Sequence, residues 1–333
     1  MTFKVLSCDG GGIRGLITAL LIEDLDKKFG VISKADGFAG TSTGGLIALG
    51  LAHGVSIDKI VSIYKNDGKE IFKPNGWLLE EGKVYQGSAD GKEGAFEGPG
   101  YFECEYVNTG IKKLAESLFS DAKLSSSKRF VAVNSARLWN EQDSWEPVTL
   151  SNTLDNVYRD VKMVDASLAT SAAPTYFPPY DIAPFGFFAD GGTFANNPSM
   201  SAIAEIMSAN LVDNLSDIRV LSLGTGLSPE GLSPSVVGKP TDWGSTKWLW
   251  PRASKGVPSM ALLQLALDCS ASMETKQAQQ LLQKQFKRGN FKLSSPIPLD
   301  DYKAVRKLED YVCTYIQSSD WQKVCTWVDE NWK

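Results

Sequence analysis

The sequence predicts an α/β fold built on a mainly parallel sheet, and three observations carry that reading. Short apolar strands alternate with amphipathic helical stretches. The strand candidates are near-continuous apolar runs, as expected of strands covered on both faces. Two of them run straight into glycine-rich turns that open helices.

Taken in order, residues 3–8 (FKVLSC) read as the first strand, then glycines, then a helix from about Arg14 to Phe29. Residues 36–41 read as the second strand, followed at once by a helix to about Gly54. Later strand candidates are 129–135 (RFVAVNS), 186–190 (GFFAD) and 218–223 (IRVLSL). Helical patterns lie near 56–66, 108–119, 198–210, 259–286, 303–317 and 320–331. Two stretches break the alternation. Residues 82–100 hold six glycines in nineteen and read as a long loop. Residues 224–258 are rich in Gly, Pro and Ser but carry Trp243, Trp248 and Trp250. With no clean linker, the expected organisation is one domain over residues 1–300 with a helical cap, residues 301–333, packed on it.

Composition narrows the function classes. The 333 residues are 43% hydrophobic and 22% charged, enough to bury a core without disulfides or metals. The formal net charge of −5 leaves no excess of Lys and Arg for phosphates, so nucleic acid is not the expected partner. Five scattered cysteines form no CxxC pair and read as reduced thiols of a cytoplasmic protein. The apolar start is too short for a signal peptide, and no run is long enough to span a membrane. Histidine is the most restrictive count: His53 stands alone. Any Ser–His–Asp triad, Cys–His pair or multi-histidine metal site must use it or not exist.

Gly40-Thr41-Ser42-Thr43-Gly44 fits G-x-S-x-G, with a strand before it and a helix after. A sharp strand-to-helix turn needs small flanking residues and thrusts the serine hydroxyl out at the sheet edge. The same pentapeptide also suits a plain glycine-rich helix entry. His53 follows eleven residues later on the same predicted helix, about 16 Å away and beyond hydrogen-bond reach. The base is then a carboxylate or a lysine. Ser125–Lys128 matches S-x-x-K but lies in a Ser/Lys loop. Asp190-Gly191-Gly192 and Asp9-Gly10 each end a strand where parallel sheets bind ligands. Either could serve, and either could be an ordinary turn.

Asp9-Gly10-Gly11-Gly12-Ile13-Arg14-Gly15 opens the first helix, and Gly10, Gly12 and Gly15 satisfy G-x-G-x-x-G. A dinucleotide-binding oxidoreductase would also need an acidic residue at the end of the second strand, which instead ends in Ala39-Gly40. The same exposed backbone N–H groups suit a tetrahedral oxyanion. Alongside the Ser42 turn, the pattern favours acyl transfer.

Together, the Asp9–Gly15 loop, Gly40–Gly45 and Asp190–Gly192 resemble the three motifs of patatin-like phospholipases, in order and rough spacing. Ser171–Pro179 and Leu223–Gly226 add to the likeness, which spans about residues 3–226 and loosens toward 300. The resemblance implies a Ser–Asp dyad, in keeping with the single histidine. It implies Ser42 as nucleophile, Asp190 as base, and Gly10, Gly11 and Gly12 as the oxyanion loop. Arg14 matches the family arginine, placed to meet a lipid phosphate or to brace the loop. The implied fold is a three-layer α/β/α sandwich related to the α/β-hydrolases. The implied activity is calcium-independent hydrolysis of acyl esters in phospholipids, with no metal or cofactor; transacylase and thioesterase chemistry would use the same dyad. Some bacterial members are switched on by cyclic nucleotides, so a small-molecule activator is a further expected partner. Trp243, Trp248, Leu249 and Trp250, close to Lys247, Arg252 and Lys255, suit transient contact at an inner membrane surface. Trp321, Val324, Cys325, Val328 and Trp332 fall near one helix face and read as core docking.

Overall fold

A computed structural model describes residues 2–75, 104–250 and 253–333. The glycine-rich stretch 82–100 and Arg252 lie outside the described residues. The first strand, β1 (Phe3–Cys8), leads through a glycine loop into α1 (Gly15–Phe29) and a short α2 (Val31–Lys34). Strand β2 (Gly37–Thr41) then enters α3 (Thr43–His53), followed by α4 (Ile57–Asn66) and α5 (Gly68–Ile71). Helix α6 (Thr109–Phe119) precedes the hairpin β3 (Phe130–Arg137) and β4 (Glu146–Ser151). Next come α7 (Met163–Thr170), β5 (Tyr180–Ile182), β6 (Gly186–Asp190), α8 (Gly192–Ala195), α9 (Ser199–Ser208) and β7 (Ile218–Leu223). The stretch read as loop holds two short helices, α10 (Pro234–Val237) and α11 (Ser245–Leu249). The chain ends with α12 (Ala261–Leu282), β8 (Phe286–Gly289), α13 (Val305–Ile316) and α14 (Ser319–Asn331).

The sheet order is β5-β6-β3-β2-β1-β7-β8, with β4 also paired to β3. Strands β3, β2, β1, β7 and β8 pair in parallel, while β4 and β6 run antiparallel to β3. The sheet is therefore mixed around a parallel centre. Strand alternation builds two hydrophobic layers. Leu6, Cys8, Phe38, Val131, Val133 and Leu221 face a core shared with α1, α3, α7, α13 and α14. Val5, Ala39, Ala132 and Val220 face the other way, onto Ile203 and Ile206 of α9 and Ala278 and Leu282 of α12. This is the three-layer sandwich that the resemblance implied.

The C-terminal stripe docks as expected. Trp321 and Trp332 are each 1% exposed, and their indole N–H groups donate to Asp24 and to the Val31 carbonyl. Burying an aromatic body while its polar tip finds a partner is what holds such residues in a core.

One pairing detail sets up everything that follows. Residues 130–134 of β3 pair with β2, and residues 135–137 pair with β6. Since β4 occupies the other edge of β3 over 132–137, β2 and β6 share one edge and run toward each other. Their C-terminal ends meet there: Thr41 lies opposite Asn134, and Asp190 opposite Ser135.

Candidate active site

Ser42 is the residue that leaves β2 at this junction. Its backbone sits at φ 55°, ψ −126°, a conformation uncommon outside glycine. The turn closes because its neighbours lack side chains. A Cβ on Gly40 would lie 2.1 Å from the Gly44 carbonyl oxygen, and one on Gly44 would lie 2.0 Å from the Cys8 carbonyl oxygen. The Ser42 N–H donates to Thr170 Oγ1 at 2.9 Å, and that hydroxyl donates to the Asn134 carbonyl at 2.6 Å. The strained turn thus loses no hydrogen bond.

Asp190 ends β6 facing this serine and is 4% exposed. Burial pushes its carboxyl up to about 7, against the pull of the neighbouring Ser42 hydroxyl and of the Gly192 N–H. That N–H donates to Oδ1 at 2.7 Å. His53 sits at the far, exposed end of α3, its ring 5.5 Å from that of Phe119.

The glycine loop closes the third side. A Cβ on Gly10 would lie 3.2 Å from Ser42 Cβ and 2.1 Å from Asn196 Oδ1. The Gly10 N–H donates to the Asn196 carbonyl at 2.9 Å, so that donor is already committed. Among the described residues, the Gly11 and Gly12 N–H groups have no such acceptor. Gly12 needs its φ of +56°, and the Leu299 carbonyl fills the space a Cβ would take. Gly11 is likewise packed against Thr225.

Asp9, the rival carboxylate, is held elsewhere. Both its oxygens accept from Arg288 of β8, and Arg288 also donates to Ser222 at 2.7 Å. Burial pushes the Asp9 carboxyl up and Arg288 pulls it back. The pair anchors the start of the glycine loop from beneath, and no motif in the sequence marked Arg288. Arg288→Met is expected to destabilise the fold by about 3 kcal/mol, because it strands a buried carboxylate. A lower urea midpoint with an unchanged slope would register it.

Arg14 is 5% exposed and lines the cleft. Its Nε has no hydrogen-bond partner. Burial lowers its pKa, while the charges of Glu230 and Asp268 act in the opposite direction. The S-x-x-K pair plays no part: Ser125 donates to Asp160 at 2.8 Å on the surface, and Lys128 is exposed.

Ser42, Asp190, Gly11, Gly12, Arg14 and Asn196 all border one cleft of about 840 Å³, its open mouth included. Its remaining wall is largely apolar, including Leu46, Phe72, Phe177 and Leu267. The tryptophans singled out for membrane contact are half-buried. Trp243 and Trp248 pack edge to face at 4.9 Å, with the Lys247 ammonium over Trp243. Exposed Leu249 lies beside them. No helix among the described residues is long and apolar enough to cross a membrane.

The model for "Patatin-like phospholipase" matches residues 6–203. A protein of Vibrio cholerae serotype O1 named cGAMP-activated phospholipase is 31% identical over 249 residues, covering 70% of this chain and 66% of the relative. One of the same name from Escherichia coli is 31% identical over 273 residues, covering 74% and 68%. The mouse 85/88 kDa calcium-independent phospholipase A2 is 31% identical over 250 residues, covering 68% of this chain and 27% of the relative. The chain thus spans about two thirds of the length of these bacterial relatives. By the family match and these identities, the chain belongs to the patatin-like phospholipase family.

Proposed function

We propose that the cleft hydrolyses acyl esters of lipids, glycerophospholipids foremost, through a Ser42–Asp190 dyad and an acyl-enzyme. One observation carries the reading: β2 and β6 end head-on against β3, which sets Ser42 against a buried carboxyl at the mouth of an apolar cleft. In this scheme Ser42 Oγ attacks the ester carbonyl carbon as Asp190 accepts its proton. The free Gly11 and Gly12 N–H groups hold the developing oxyanion, and Gly10 supports the loop. Asp190 returns the proton to the leaving alcohol, then accepts one from the water that attacks the acyl-enzyme and passes it to Ser42 Oγ as the fatty acid leaves. Removing one oxyanion donor in other hydrolases costs about 10²–10³ in rate, so two such donors bear much of the catalysis. Arg14, cationic and short of partners, is suited to a lipid phosphate or to the cleft's own carboxylates, Glu230 and Asp268. Trp243, Trp248 and Leu249 would meet the bilayer as a peripheral contact.

The dyad chemistry uses no metal ion. The test is fatty-acid release from mixed phosphatidylcholine and phosphatidylethanolamine vesicles in excess EDTA. Wild type is expected to release acid and Ser42→Ala to release none. Equal release by both would contradict the reading. Because two relatives are named for activation by cGAMP, the assay is run with and without it. Activity seen only with cGAMP would make that ligand an activator.

A further inference from the structure

Next to the cleft lies a second apolar pocket of about 500 Å³, its open mouth included. Leu46, Tyr64, Ile71 and Ile111 border both spaces, so the two meet at a waist made by these four side chains. Helix α3 serves as a ruler. It starts at Ser42, passes Leu46 after one turn, and reaches Gly50, on the wall of the second cavity, after two turns. At the α-helical rise that is about 12 Å from the serine along the axis. Helix α6 lines the same path, from Ile111 at the waist to Ala115, Leu118 and Phe119 beyond it. Gly50 lets α3 pack closely on Ile60 of α4 at this wall, since a Cβ there would come within 3.2 Å of Ile60 Cδ1. The waist is fixed: the Tyr64 hydroxyl is bonded to Thr43 Oγ1 at 2.5 Å and donates to the Thr43 carbonyl at 3.1 Å.

A pocket with walls this apolar takes apolar ligands. A hexanoyl chain attached at Ser42 would stop in the first space, while a hexadecanoyl chain would need the second. We propose that the two cavities form one acyl channel, and that the chamber beyond the waist makes the protein selective for long-chain acyl groups. Ala115, Leu118 and Phe119 set its depth. The proposal rests on the reading of the cleft as an acyl site, and its test reads binding separately from hydrolysis.

The whole chain is titrated with hexanoate and with hexadecanoate, as wild type, Ala115→Leu and Leu118→Trp, with the melting temperature of each recorded. Each methylene seated in apolar space is worth about fourfold in affinity. Wild type should therefore bind hexadecanoate far more tightly. Ala115→Leu adds three carbons to the chamber wall, and is expected to weaken hexadecanoate by at least about tenfold and hexanoate by less than about twofold. Leu118→Trp should do the same from the next turn of α6. Unchanged hexadecanoate affinity in both folded variants, or equal losses for the two acids, would overturn the proposal. The predicted binding pattern without ester hydrolysis by wild type would uphold the channel and defeat the hydrolase reading. Hydrolysis without the pattern would do the reverse.

Discussion

Asp190→Asn is expected to lower ester hydrolysis by about 10²–10⁴-fold and, at pH 8, to raise stability. The two effects share one cause. Burial holds the Asp190 carboxyl up at about 7 instead of 3.8. As a base it must be ionised, so wild-type activity should rise with pH, level off above about 7, and fall about tenfold per unit below. The sign for stability is opposite. A carboxyl raised in the folded state binds its proton more tightly there than in the unfolded chain. Its contribution therefore declines as pH rises from about 4 to 7 and stays low above that. Asparagine keeps an acceptor for the Gly192 N–H but never has to ionise. We expect a gain on the order of 2 kcal/mol at pH 8, shrinking to nothing near pH 4, measured by urea unfolding of both proteins across that range. A variant less stable than wild type at pH 8 would contradict the buried-charge account.

Gly44→Ala is expected to destabilise the protein by at least about 3 kcal/mol and to remove activity with the fold. The added methyl would lie 2.0 Å from the Cys8 carbonyl oxygen and 2.6 Å from that of Asp9, and both are backbone. Relief requires α3 to withdraw from β1, which parts Ser42 from the glycine loop. Gly50→Ala, on the same helix, is the control. Its methyl meets side chains alone, the end of Ile60 at 3.2 Å and Val55 Cβ at 3.8 Å, and alanine's higher helix propensity offsets the crowding. Parallel thermal melts of the two variants decide the matter: equal stability would refute the role assigned to the elbow.

How much of this was legible in the sequence follows from which interactions are local. The Ser42 turn could be read because its requirement, small residues flanking a strand-to-helix corner, lies within five positions. The long apolar strands and amphipathic helices could be read for the same reason. Three strands could not. Strand β5 has three residues, and β8 carries Lys287 and Arg288 at its centre. The helical pattern read over 259–286 also ran into the first residue of β8, Phe286, whereas the helix stops at Leu282, where Gln283 turns to φ 50°. Strand β4 lies beyond an exposed turn, and its partner is set only by the hairpin. With β4 and β5 unread and the direction of β6 unknown, the parallel centre of the sheet was legible but its antiparallel edge was not.

The site divides in the same way. Asp9 and Asp190 looked alike because each ends a strand before glycine. What separates them is distant in sequence: Arg288 occupies Asp9, and the meeting of β2 with β6 delivers Asp190 to Ser42. The three loop glycines also looked equivalent, yet the Asn196 carbonyl takes the Gly10 N–H and leaves Gly11 and Gly12 as donors. A backbone group's partner across a sheet edge cannot be read from its own neighbours.

The central claim is that Ser42 is a nucleophile activated by Asp190. The most direct measurement is the rate at which an alkyl fluorophosphonate labels the protein between about pH 5 and pH 9, with the labelled residue identified by peptide mass. The account predicts one label per chain, on Ser42, at a rate that climbs to a plateau above about pH 7 in wild type and is low in Asp190→Asn. Labelling at another residue, or a Ser42 rate that ignores both pH and the Asp190 substitution, would contradict it.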